Sequence, residues 1–93
     1  EELRLEMTCS ICQEQYDVFD KDGQYLGYLH LRGGFFTVNC LKPGDKFEEP
    51  ISGYSPEGWY EFNSDQERSA YLTITRRDIA EFYRALEQRA QFS

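Results

Sequence analysis

Residues 16–36, YDVFDKDGQYLGYLHLRGGFF, alternate apolar and polar side chains around two glycine turns. A spacing of two is the strand period, and glycine supplies the positive φ of tight hairpins. The pattern predicts strands over 15–20, 25–31 and 35–41, joined at Lys21-Asp22-Gly23-Gln24 and Arg32-Gly33-Gly34. In the middle strand, Tyr25, Leu29 and Leu31 are expected on one face, with Leu26, Tyr28 and His30 on the other. Gly27 inside it marks a place for a bulge or a close ring. In the third strand Phe36, Val38 and Cys40 share a side. A three-stranded antiparallel meander follows.

The C-terminus carries a different period. Ile79, Phe82, Tyr83, Leu86 and Ala90 form a helical stripe, with Glu81, Arg84, Glu87, Gln88 and Arg89 on or near the wet side. Thr75 with Asp78 reads as the cap, giving a helix over 76–91. A meander and one amphipathic helix must bury each other's apolar faces, so the fold class is α+β: an antiparallel sheet of four to six strands under one C-terminal helix. Burying Ile79, Phe82, Tyr83 and Leu86 contributes about 6–10 kcal/mol before chain entropy is counted.

Between these parts the pattern is broken. Lys42-Pro43-Gly44-Asp45 is a turn, and Pro50, Gly53, Pro56 and Gly58 cut the following stretch into short extended pieces. Residues 69–75, SAYLTIT, are rich in Thr, Tyr and Ile and read as a strand. The alternative is a helix capped by Ser64, with Glu67 completing a capping box.

At 93 residues the chain is one domain, and its seven Tyr, seven Phe and single Trp supply a ring-built core. Ten Lys and Arg against seventeen Asp and Glu leave −7, which repels phosphate backbones and favours a basic partner. No apolar run approaches the roughly 20 residues that span a bilayer. The start, Glu1-Glu2-Leu3-Arg4, has no apolar signal region, and three Cys is an odd number. The expected setting is a reducing cytoplasm with free thiols, away from membranes.

Letters that resemble motifs resolve into turns. With Gly23 in the sixth place of a calcium loop, Val18 and Leu29 fall where the end ligands belong. Leu31-Arg32-Gly33-Gly34 matches the tail of ubiquitin, but Phe35 follows and no terminal carboxylate exists. CSICQE, residues 9–14, resembles the opening of a RING finger. Cys9, Cys12, His30 and Cys40 are all the Cys and His in the chain, enough for one zinc ion and not for two. Such a single-zinc structural domain is the second reading. No nucleophile motif, phosphate loop or H-E-x-x-H occurs, so the chain is read as non-enzymatic and without a cofactor.

The segment 42–62 stands apart. Glu48, Glu49, Glu57 and Glu61 alternate there with Tyr54, Trp59 and Tyr60. Rings supply contact area and charge supplies steering, so these seven residues form the expected partner-binding site. The competing reading has the rings completing the core while the acids face water.

Residues 16–39 resemble a hairpin of the form YDVxDxDGxxxGYLxLRxGxF found in small uncharacterised bacterial and phage-type proteins. The resemblance implies a compact accessory protein, of the kind carried by mobile elements, and transfers no catalytic or binding residue. The leading expectation is a small acidic protein-binding domain of inhibitor, immunity or accessory type. A third reading, kept open by the missing initial Met, is a domain excised from a larger protein.

Overall fold

The computed structural model describes residues 3–9 and 14–92. In chain order it holds β1 (Arg4–Cys9), β2 (Glu14–Phe19), β3 (Tyr25–Arg32), β4 (Phe35–Cys40), β5 (Glu49–Tyr54) and α1 (Asp65–Phe92). Each strand pairs antiparallel with the next, so the sheet runs β1-β2-β3-β4-β5. The α+β class and the central meander are as expected.

The hairpins follow from local chemistry. Gly33 and Gly34 adopt φ of 61° and 80°, the type I′ pattern that matches strand twist. In the β2–β3 turn Asp20 accepts the Asp22 and Gln24 amides on one carboxylate oxygen, each at 2.9 Å. That side chain serves its own loop, as Asp does in turns.

β1 lies outside the expected elements, and β5 is a full strand where only short extended pieces are expected. β1 alternates Leu5 and Met7 with Arg4, Glu6 and Thr8, a period-two signal short enough to overlook. β5 contains Pro50 and Gly53, which read as breakers. Pro is tolerated on an edge strand, and the ladder shifts register between Val38 and Asn39 opposite it.

The middle strand corrects the facial assignment. A register shift between Val18 and Phe19 makes Leu26 an extra residue, so it joins Leu29 and Leu31 toward the core. Tyr25 moves to the opposite face, meeting Phe19 edge-on at 6.0 Å. Gly27 permits this bulge: its φ is 153°, and a Cβ would sit 2.0 Å from the Asn39 carbonyl oxygen.

The strand expected at 69–75 is helix. Helix α1 runs unbroken from Asp65 to Phe92, about eight turns, rather than beginning near Thr75. The β-branched residues misled because their hydroxyls find helical partners. Thr73 donates to the Ser69 carbonyl and Thr75 to the Leu72 carbonyl, both at 2.9 Å. Packing then overrides propensity, with Tyr71, Leu72, Thr75, Ile79 and Phe82 turned toward the sheet. The Ser64 cap is the one in use. Its hydroxyl accepts the Glu67 amide at 3.1 Å, while the Glu67 carboxylate accepts the Asn63 amide at 2.9 Å. Asp78 is a mid-helix residue that accepts from Ser52 and Tyr54 on β5.

The core lies between one sheet face and α1: Val18, Leu29, Leu31, Phe36, Val38, Cys40 and Ile79 are closed to solvent. The helix is about 42 Å long, matching the 43 Å long axis of the molecule, whereas a six-residue strand covers about 20 Å. Its C-terminal turns therefore run past the sheet, and Ala90, expected in the buried stripe, is exposed.

Candidate functional site

The end of the sheet where β2 begins and α1 starts is organised by one buried carboxylate. Glu14 is 3% exposed. It accepts from Arg68 Nε at 3.0 Å, from a terminal Arg68 nitrogen at 2.7 Å, from the Tyr16 hydroxyl at 2.9 Å and from the Phe62 amide at 3.2 Å. Burial pushes its pKa upward, but the hydrogen bonds from Arg68, Tyr16 and Phe62 outweigh this and hold it below the ordinary value. Burial and the neighbouring carboxylate push the Tyr16 hydroxyl the other way. Sheet, loop and helix are thus joined at a single charged node, which sequence reasoning missed. No motif marks it, because Glu14 and Arg68 lie far apart in the chain.

The loop after β5 is laid across this end. The Trp59 carbonyl accepts the Gly34 amide at 2.8 Å, and the Tyr60 carbonyl accepts the Glu14 amide at 2.9 Å. A two-residue hairpin leaves an inner N–H without a strand partner, and the loop takes the one on Gly34. Phe62 then drops into the core against Phe36 at 5.1 Å and Tyr71 at 5.4 Å. Gly58 allows the tight approach, since a Cβ there would meet the Glu61 carbonyl at 1.9 Å. The outcome is a shelf whose backbone is bonded down while its rings point out: Trp59 is 67% exposed and Tyr60 49%. Their centroids are 6.4 Å apart. Phe35, beside Gly34, is half exposed, and Glu57 and Glu61 are exposed on the same loop.

The seven residues expected to form one surface are divided by β5. Tyr54, Glu57, Trp59, Tyr60 and Glu61 belong to the shelf end. Tyr54 is half buried, packs on Tyr71 at 5.9 Å and donates to Asp78, so it supports the helix. Glu57 accepts from the Asn63 side chain at 3.4 Å. Glu48 and Glu49 sit at the opposite end of the strand. Glu48 accepts from the Tyr25 hydroxyl at 2.7 Å, which holds its pKa low, and Glu49 pairs with Lys42 at 3.0 Å.

Of the four-residue zinc set, His30 and Cys40 lie on opposite faces of the sheet. Cys40 is buried on the helix side, with its thiol pushed up to about 12 by burial. His30 points to the other sheet face, stacked on Tyr28 at 5.6 Å. Burial and Arg32 hold its pKa low. One ion cannot reach through the sheet to both. The Cys9 side chain and Cys12 lie outside the described residues. Among the described residues no group of three or more Cys, His, Asp or Glu is placed to hold a metal.

A cleft of about 550 Å³ opens at the far end, between the β2–β3 turn, the 41–45 turn and α1. Leu26, Leu41 and Tyr83 line it, and the Tyr83 hydroxyl lies 2.8 Å and 2.7 Å from the Leu26 and Leu41 carbonyls. No buried side-chain polar atom among the described residues lacks a partner. No described helix is long and apolar enough to cross a membrane. No family model, curated protein or solved structure matches the chain.

Proposed function

We propose that the chain is a non-enzymatic binding domain that engages a basic protein through its aromatic shelf, in an inhibitor, immunity or accessory-type role within the cytoplasm. The observation that carries this reading is the pairing of exposed rings with an anchored backbone. Trp59 and Tyr60 stand in solvent although their own carbonyls are hydrogen-bonded to Gly34 and Glu14. A loop already ordered loses little entropy on docking, and Trp and Tyr are the side chains that most often dominate interface energy.

Charge supports the choice of partner. Helix α1 holds five Arg against five acids, so the −7 of the chain belongs to residues 1–64. A field of that sign draws cations and repels nucleic-acid phosphate. In this reading Phe35, Trp59 and Tyr60 supply contact area, Glu57 and Glu61 oppose partner cations, and Glu48 and Glu49 contribute to steering from a distance. The experiment is a matched affinity capture with the wild-type chain, Trp59→Ala and Phe47→Ala, followed by calorimetric titration of the captured protein. The reading expects a basic protein that binds wild type and Phe47→Ala alike and loses at least tenfold in affinity for Trp59→Ala. Equal affinity for all three chains would remove the shelf from the interface.

A further inference from the structure

The two edges of the sheet are unlike. β5 carries Pro50, which has no N–H to offer, and an irregular register beside it. Such features protect an edge from pairing. β1 has no Pro or Gly; its ladder with β2 also shifts register, between Met7 and Cys9, but is regular from Arg4 to Met7, the part offered for pairing. It is also incompletely covered. Helix α1 packs against β4 and β5, leaving Met7 on the helix-side face 45% exposed. On the opposite face Glu6 is paired directly with Asp17 of β2, an acid against an acid. Like charges in that position destabilise a ladder unless a cation lies close by.

We propose that β1 pairs antiparallel with β1 of a second copy of this chain, Leu5 opposite Leu5, so that two sheets become one across a two-fold axis. An axis normal to the sheet keeps the two helix sides together, so residues of like facing must oppose each other. Three registers then centre on the strand. Glu6 opposite Glu6 adds a second acid pair. Met7 opposite Met7 sets Glu6 against Thr8 and leaves Arg4 without a charged partner. Leu5 opposite Leu5 sets Arg4 of each copy against Glu6 of the other and brings Leu3 against Met7. Only this register complements charge with charge and apolar with apolar. It also surrounds Glu6 with cations, Arg4 of its own chain at 3.2 Å and Arg4 of the partner copy, offsetting Asp17. The exposed Met7 gains an apolar neighbour.

Sedimentation equilibrium on four chains tests the register. The wild-type mass should rise from 11.0 kDa toward twice that value as concentration increases to about 1 mM. Arg4→Glu sets acid against acid across the axis, and Glu6→Arg sets cation against cation, so each alone should stay at 11.0 kDa. Mixing these two chains should restore association, and so should the double substitution Arg4→Glu/Glu6→Arg in one chain. Both positions are exposed, and thermal melts confirm that each variant is folded. A wild-type chain that remains at 11.0 kDa throughout would overturn the proposal. Dimers that persist in both single variants, or a mixture that stays monomeric, would overturn it equally.

Discussion

Phe47 and Trp59 are both large exposed rings, 80% and 67% in solvent, on the two segments that flank β5. What lies beneath them differs. Phe47 follows a turn closed onto itself by the Asp45 amide and the Lys42 carbonyl at 3.0 Å. Trp59 rides on a loop stitched to the β3–β4 turn and to the start of β2, and seated by Phe62 beside the buried Glu14 carboxylate that Arg68 pairs. Exposure alone would rank Phe47 first. A ring on a turn tied to the sheet through side chains, Glu48 to Tyr25 and Lys42 to Glu49, has more left to order before it can contribute contact, at about 0.5–1.5 kcal/mol for an immobilised side chain and more for its backbone. A ring on a bonded shelf has already met most of that cost during folding.

The contrast can be broken most severely at the node. Arg68→Ala leaves the Glu14 carboxylate buried without its cation and should destabilise the fold by about 3 kcal/mol, read from denaturant unfolding. Acid should act on the same group. The Glu14 pKa is lowered in the folded state, so its stabilisation is fully present above the ordinary value of 4.5 and is lost as pH falls through the folded value. Glu14→Gln should flatten that acid limb of the stability profile while lowering stability at neutral pH. A profile that keeps its acid limb would mean that another carboxylate governs it.

Gly58→Ala comes next. Its Cβ cannot occupy a position 1.9 Å from the Glu61 carbonyl, so the shelf must shift, at about 1–3 kcal/mol. The same substitution should alter Trp59 fluorescence. Trp59→Ala sharpens the comparison, because its unfolding free energy should stay within about 0.5 kcal/mol of wild type while partner affinity falls at least tenfold. A marked loss of stability would instead make the ring structural. Phe47→Ala should change neither stability nor binding, and serves as the baseline.

Much of this architecture could be read from residue order alone. The meander was legible because Asp22-Gly23 and Gly33-Gly34 force hairpins between alternating segments, and Gly27 announced its bulge. The consequence of that bulge, Tyr25 and Leu26 exchanging faces, was not legible, since an extra residue reverses the alternation N-terminal to it. Residues 69–75 misled because Thr and Ile favour strands locally, whereas the decisive contacts to Tyr71 come from Phe36, Tyr54 and Phe62, all outside that segment. The candidate site was visible as a composition of acids and rings. Its division by β5 was hidden by Pro50 and Gly53, and its foundation by the long separation between Glu14 and Arg68.

The central claim is that Trp59 and Tyr60 are carried by a fixed backbone, and amide hydrogen exchange at Gly34 and Glu14 tests it most directly. Both amides donate to shelf carbonyls, so both should exchange slowly, alongside the interior amides of β3 and β4, and should remain slow in Trp59→Ala. Exchange of these two amides at the rate of a free loop, with the strands still protected, would contradict the account.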